Sequence, residues 1–340
     1  MRVAEVNAKN GGSILASSDE NILEIRDLVV EYHTDDEVIY ALNNINLNVR
    51  KGETIGLVGE TGAGKTTIAK SIMRILQSPP AKTISGSIMF EGRDLMKLEE
   101  KEMREVRGNR IAMIFQDPMT ALNPIEKVGW QIAEAIRLHN TISRAEAEKR
   151  ACDMLEMVGI QASRYDEYPH QFSGGMKQRV IIAIALACNP ILLLADEPTT
   201  ALDVTIQAQV LEMMNDLKHN LGTSVVMITH DLGVVANTCN SVAVVYAGEI
   251  VEYGTAEHIF DNPCHPYTVG LFNSLPRLNS TERRLKPIKG LMLDPTTKPD
   301  GCRFCDRCPH AMERCEKENP DTFEVEPGHL LKCWLKRGGA

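Results

Sequence analysis

A strand, a glycine-rich turn and a helix follow one another directly between Thr54 and about Gln77, an order that few folds accommodate. Thr54–Val58 is apolar and β-branched, the composition of a buried parallel strand. Gly59-Glu60-Thr61-Gly62-Ala63-Gly64-Lys65-Thr66-Thr67 comes next and has the spacing of a phosphate-binding loop. Its glycines let backbone N–H groups wrap an anion without Cβ clashes, at the positive end of a helix dipole. Lys65 can reach the β- and γ-phosphates of a bound triphosphate, and the Thr66 hydroxyl can ligate Mg²⁺. A structural glycine turn is the bland alternative, and the strand before and helix after argue against it.

The 340 residues are 43% hydrophobic and 24% charged, which excludes disorder, collagen-like repeats and a disulfide-stapled miniature. Lys and Arg number 37 against 46 Asp and Glu, for a net charge of −9. No basic stripe breaks that balance, so a grip on nucleic acid is not expected. Residues 1–20 read as a polar extension without the apolar core of a signal peptide, and a cytosolic location is expected. The longest apolar stretch, Val180–Ala195, is cut by Asn189-Pro190 and is too short for ~30 Å of hydrocarbon. It reads as a buried helix and then a buried strand. Any service to a membrane would pass through partners.

Ile22–Tyr32, Ile45–Val49 and Glu53–Val58 read as short strands, and Glu99–Gln161 as mostly helical. After Pro190 strands and helices alternate: Ile191–Ala195, a helix over Ile206–Leu221, Ser224–Thr229, a helix near Val234, and Ser241–Tyr246. That alternation predicts an α/β fold with a mainly parallel sheet. Turn residues thicken from Pro263, so a boundary is expected between 260 and 270: a core over 21–260, with a helical subdomain at about 100–190, and an extension over 261–340.

The apolar run Ile191–Ala195 delivers Asp196-Glu197 to the C-terminal edge of the sheet, where α/β ligands bind. Asp196 can hold Mg²⁺ there, and Glu197 can polarise an attacking water as general base. Phe172-Ser173-Gly174-Gly175-Met176 opens a helix and makes a second anion-binding N-terminus. With that placement, residues 22–255 resemble the ATP-binding cassette ATPases. The fold implied is a P-loop cassette core, a mainly parallel sheet with an antiparallel β subdomain, plus the helical subdomain and a small cysteine-rich tail. The resemblance extends to Gln116 as a Q-loop glutamine that senses Mg²⁺ and nucleotide, to Thr200-Ala201-Leu202-Asp203 as a D-loop, and to His230 as the switch histidine at the γ-phosphate. Tyr32 matches the aromatic that stacks on adenine, with Tyr40 a competitor. It implies two cassettes meeting head to tail, with Ser173, Gly174 and Gly175 serving a nucleotide held by the partner. Phe172 and Met176 depart from the commonest signature (Leu and Gln) without touching the anion-facing Ser-Gly-Gly.

Gln116-Asp117-Pro118-Met119-Thr120-Ala121-Leu122-Asn123-Pro124 and His265-Pro266-Tyr267-Thr268, with Ser274-Leu275-Pro276 beyond, resemble segments of the dipeptide, oligopeptide and nickel importer ATPases. The partners implied are a second ATPase subunit, identical or homologous, two membrane permeases and, indirectly, a substrate-binding protein. The location implied is the cytoplasmic face of the membrane. Nickel or oligosaccharide import and a soluble non-transport ATPase are the alternatives.

Cys152, Cys188, Cys239 and Cys264 are scattered, and packing roles are the plain reading. Cys302, Cys305, Cys308, Cys315 and Cys333 crowd the end of the chain, which in a cytosolic protein points to metal or redox chemistry. Spacing alone selects Cys302, Cys305 and Cys308, close to a ferredoxin run. The resemblance instead implies a four-iron four-sulfur cluster on Cys302, Cys308, Cys315 and Cys333, with Cys305 left over. Zinc is the rival, since it accepts four thiolates.

Overall fold

The computed structural model describes residues 21–116, 121–200, 202–274 and 287–337. The expectations for residues 1–20, Asp117–Thr120, Ala201 and Leu275-Pro276 lie outside them.

Two long strands open the fold, β1 (Asn21–His33) and β2 (Val38–Arg50), with Thr34–Glu37 as their hairpin turn. They are longer than the sequence patterns suggest, because the alternation fades toward the turn while the ladder continues. With β4 (Ala81–Phe90) and β5 (Arg93–Asp94) they form an antiparallel sheet in the order β2-β1-β4-β5. Between these pairs lie β3 (Thr54–Val58) and α1 (Lys65–Ile72). The helix stops short of Gln77, where Arg74 takes a positive φ.

The larger sheet has five parallel strands at its heart, in the order β9-β3-β8-β7-β6. These are β6 (Ile111–Ile114), β7 (Leu192–Asp196), β8 (Ser224–Ile228) and β9 (Ser241–Tyr246) around β3. Every residue of β3, β7 and β8 is buried, as strands covered on both faces must be. The period of two then assigns each side chain to a face. Leu192 and Leu194 join the core shared with α1 and the antiparallel sheet, whereas Leu193 and Ala195 join the core beneath the helices. Those helices are α3 (Val128–His139), α4 (Arg144–Met157) and α5 (Gly174–Leu186), preceded by the short α2 (Glu100–Val106). The mostly helical reading of Glu99–Gln161 therefore fails at Ile111–Ile114. Four residues give no helix period to contradict, and burial beside β7 decides for strand.

Helices α6 (Val204–Leu221) and α7 (Leu232–Thr238) complete the alternation. Beyond it come β10 (Glu249–Thr255), α8 (Ala256–Asp261), α9 (Pro266–Asn273) and α10 (Glu313–Lys317). The hairpin of β11 (Phe323–Glu326) and β12 (His329–Leu331) then adds antiparallel to β10, with Glu252 opposite Leu331. The sheet thus runs on through the cysteine-bearing tail. No helix among the described residues is long and apolar enough to cross a membrane.

Candidate active site

Strand β3 ends at Val58 and hands the chain to a loop that only glycine could begin. Gly59 has φ +150°, and a Cβ there would lie 2.1 Å from the Val245 carbonyl oxygen. Lys65 is buried at the start of α1, and its Nζ donates to the carbonyls of Gly59 at 2.7 Å and Glu60 at 2.9 Å. Burial lowers its pKa from the ordinary lysine value, against the pull of Glu197, Asp196 and Glu60. Thr66 Oγ1 donates to Asp196 Oδ1 at 3.1 Å, which ties the loop to the end of β7. Burial raises the Asp196 pKa, helped by the neighbouring Glu197 charge and opposed by the Thr66 hydroxyl and by Lys70 and Lys65. A hydroxyl and a buried carboxylate in contact are oxygen donors suited to Mg²⁺.

Glu197 sits one residue beyond, at φ +50°, a conformation that costs a non-glycine residue energy and that collects at functional sites. Three groups hold its carboxylate. Gln116 Nε2 donates to Oε2 at 2.9 Å, Thr200 Oγ1 donates to the same oxygen at 3.0 Å, and His230 Nδ1 lies 3.2 Å from Oε1. Burial would raise its pKa, but those three partners outweigh burial and hold it below the usual glutamate value. A carboxylate so placed is ionised at neutral pH and able to accept a proton.

Lys65, Thr66, Glu197 and two of the Glu197 partners, Gln116 and His230, line a cavity of about 850 Å³. Gly59, Glu60, Thr61, Gly62, Gly64, Lys65, Thr66 and Thr67 line one side of it, while Ala63 is buried beneath, its N–H donating to the Glu60 carbonyl. Besides Gln116, Glu197 and His230, both Tyr32 and Tyr40 line it, so the structure leaves the two aromatics in competition. Ser173, Gly174 and Gly175 are not brought to it. Ser173 caps α5 by accepting from the Met176 N–H, and both Ser173 and Gly174 are exposed. Beyond its chain neighbours and its own helix, no atom of the described residues lies within 4 Å of where a Gly174 Cβ would be.

Within the family of cassette models, one described as ABC transporter matches residues 42–200, and another, the oligopeptide/dipeptide transporter C-terminal region, matches 251–315. A probable peptide ABC transporter ATP-binding protein of Sinorhizobium fredii is 51% identical over 92% of this chain and 94% of its own. The chain belongs to the ABC transporter ATP-binding proteins. The oligopeptide transport ATP-binding protein OppD of Bacillus subtilis is also 51% identical, over 92% of this chain and 88% of its own. Among solved structures, the dimeric post-hydrolysis form of the ATP-binding cassette MJ0796, bound to ADP and Pi, is similar with a TM-score of 0.62 and 29% identity, over 69% of this chain and 98% of that one.

In this ABC ATPase, sequence reasoning missed the supports behind the loop. Tyr267 lies in the His265-Pro266-Tyr267-Thr268 segment, and its hydroxyl accepts the Glu60 N–H at 2.9 Å. That segment carried a likeness but no stated role. Arg307 forks onto the Glu60 carboxylate at 2.6 and 3.0 Å, a pairing across the sequence that no local pattern announces. The tail is bolted down by buried charge as well. Glu252 Oε1 meets His329 at 2.8 Å and takes the Cys264 N–H at 2.6 Å, while Oε2 takes the His265 N–H at 3.0 Å.

In the cysteine lobe, the thiols of Cys302, Cys308, Cys315 and Cys333 act on one another electrostatically. Burial pushes Cys302 up to about 12 and Cys333 up to about 11, and burial raises Cys308 as well. Backbone N–H groups of Phe304, His310 and Leu335 work against that rise at Cys302, Cys308 and Cys333, favouring thiolate. Cys305 has neighbouring thiols too, but no such backbone donor counters its rise. No three of these thiols lie within 4.8 Å of one another, a spacing that Glu252, Cys264 and His329 alone achieve among the described residues.

Proposed function

We propose that this ABC ATPase hydrolyses ATP as the motor subunit of an importer for dipeptides or oligopeptides, at the cytoplasmic face of the membrane. Its partners are a second ATP-binding subunit, two membrane permeases and, indirectly, a substrate-binding protein. The observation that carries the reading is the joint match of a cassette and an oligopeptide/dipeptide C-terminal region on one chain, with peptide-transport relatives along most of its length.

In this reading the loop 59–67 wraps the β- and γ-phosphates, Lys65 leaving its carbonyl partners to meet them. Thr66 and Asp196 would hold Mg²⁺, with Gln116 beside them, and the bound ion neutralises phosphate charge. Glu197 accepts the proton of the attacking water, and His230 faces the γ-phosphate and steadies the carboxylate. Positioning and charge neutralisation supply most of the catalysis in phosphoryl transfer. Ser173, Gly174 and Gly175 complete the site of the partner cassette; the exposure of Ser173 and Gly174 and the open space beside Gly174 support that role.

The tail binds a four-iron four-sulfur cluster through Cys302, Cys308, Cys315 and Cys333. All five tail thiols lie close enough to interact, and the backbone donors at Cys302, Cys308 and Cys333, with none at Cys305, support the four-thiolate set; tetrahedral zinc would draw sulfurs to about 3.8 Å at its ~2.3 Å bond length. Cys302→Ser should remove iron and the broad visible absorbance, whereas Cys305→Ser keeps both; a colourless, zinc-loaded wild type contradicts the assignment. The transport reading is tested by reconstituting the chain with its permeases and binding protein in vesicles. ATP-dependent uptake of labelled di- or oligopeptide is expected, and uptake of nickel without peptide contradicts it.

A further inference from the structure

The C-terminal segment does more than fold beside the cassette; it supplies part of the lining of the cavity at the phosphate loop. Met292, Leu293 and Pro295 line that cavity opposite the glycine loop. The Pro295 carbonyl accepts the Tyr40 N–H at 2.8 Å, and Lys298 lies 5.4 Å from the Tyr40 ring centre. A Cβ on Gly62 would come within 2.9 Å of the Met292 methyl.

Beneath the loop the tail is wedged in by aromatic packing. Phe304 is buried edge-on against Tyr246 at 5.2 Å and tilted against Tyr267 at 5.4 Å. Three residues on, the Arg307 guanidinium lies 5.7 Å from the Tyr246 ring and donates through Nε to the Lys289 carbonyl. The ring and the carbonyl hold it before it reaches Glu60. The fork it makes there is the strong, geometrically specific form of a charged pair, and the Arg307 side chain is only 5% exposed. Glu60 is the second residue of the phosphate loop. Its N–H is taken by Tyr267 and its carbonyl by Lys65, so the carboxylate is the remaining handle on the loop.

We propose that the C-terminal segment is a wall of the nucleotide site and that Arg307 is a positioning residue, holding the phosphate loop through Glu60 and cancelling an acidic charge beside the incoming phosphates. Because Arg307 lies between Cys305 and Cys308, the fold of the cysteine lobe sets its place. The inference rests on the loop 59–67 being the nucleotide loop. Arg307 acts through the Glu60 carboxylate and not on the reacting atoms, so its loss weakens ground state and transition state alike and spares kcat.

The test measures binding of a non-hydrolysable ATP analogue, and KM against kcat, in the full chain carrying R307Q, E60Q, both, or K65A. R307Q should weaken the analogue and raise KM about tenfold, with kcat within about twofold. E60Q should recover most of that loss in the R307Q background, because it removes the stranded acid; a purely structural arginine would not be rescued. Wild-type affinity in R307Q, or no rescue by E60Q, overturns the proposal. Should R307Q not fold, R307K reads the same clamp, since it keeps charge and loses the fork: an intermediate affinity is expected and wild-type affinity overturns the proposal. K65A serves as the separate check. If it binds the analogue like wild type, the loop assignment itself is wrong; if K65A loses binding while R307Q does not, only the role of Arg307 falls.

Discussion

The two helix starts proposed to face a triphosphate are furnished very differently. The one at Lys65 sits in a cavity with a buried lysine, a hydroxyl tied to Asp196, and Glu197 gripped by Gln116, Thr200 and His230. The one at Gly174 lies in the open, with Ser173 capping its own helix and nothing above Gly174. A surface held ready but unfurnished makes sense when the rest of the site arrives on another molecule. In the proposed reading one chain carries most of one site and the lesser part of a second, and neither part alone should turn over ATP efficiently.

The largest expected effect falls on the furnished side. Glu197→Gln should cut turnover about 10²–10⁴-fold, the usual worth of a general base, while analogue binding stays near wild type. Full turnover, measured by phosphate release, would remove Glu197 from that role. On the bare side, Ser173→Arg should lower turnover of the assembled pair by roughly 10²-fold, the scale of one lost transition-state donor. Binding of the analogue to the isolated chain should stay within about twofold. If binding to the isolated chain fell instead, the two helix starts would belong to one site.

A smaller effect separates Tyr32 from Tyr40. Base stacking on an aromatic is worth about 1–3 kcal/mol, so Tyr32→Ala should weaken the analogue at least fivefold. Tyr40→Ala should do less, since the Tyr40 contacts to Pro295 and Lys298 are to the tail. The reverse order, read by titration, would reassign the stacking residue.

The smallest effect is on stability. His265 is buried, its Nδ1 accepts the Tyr267 N–H at 3.0 Å, and burial pushes it down to about 4, against the pull of Glu252 and of its bond to the Lys332 backbone. Its folded pKa lies below the ordinary 6.5, so the unfolded chain takes the proton first. The stability it supports is whole above about pH 6.5 and is lost as pH falls toward 4, at up to about 1.4 kcal/mol per unit. Asparagine keeps a cap oxygen without titrating, so His265→Asn should flatten the fall in melting temperature between pH 7 and 5. An unchanged slope would show that other groups set it.

Much of the site was legible because its chemistry is local in sequence. Gly59–Thr67, Asp196-Glu197 and Ser173–Gly175 each sit at a strand or helix end where a few neighbouring residues define the geometry. The parallel strands other than β6 were legible too, since burial on both faces leaves runs such as Leu192–Ala195 wholly apolar. What escaped depends on pairs far apart. Nothing near Arg307 points to Glu60, nothing near Leu331 points to Glu252, and the four apolar residues of β6 carry no period of their own. Pro295 and Met292 read as a turn-rich tail, and only the folded chain brings them over Tyr40 and Gly62.

Association of the Glu197→Gln protein with its partner cassette, followed by analytical ultracentrifugation with the permease subunits supplied and ATP added or withheld, decides whether two chains share each triphosphate. The expected result is a pair of cassettes that forms with ATP, dissociates without it, and fails to form when Ser173→Arg is added to both members. Cassettes that stay monomeric at saturating ATP, or that pair equally well without nucleotide, would contradict it.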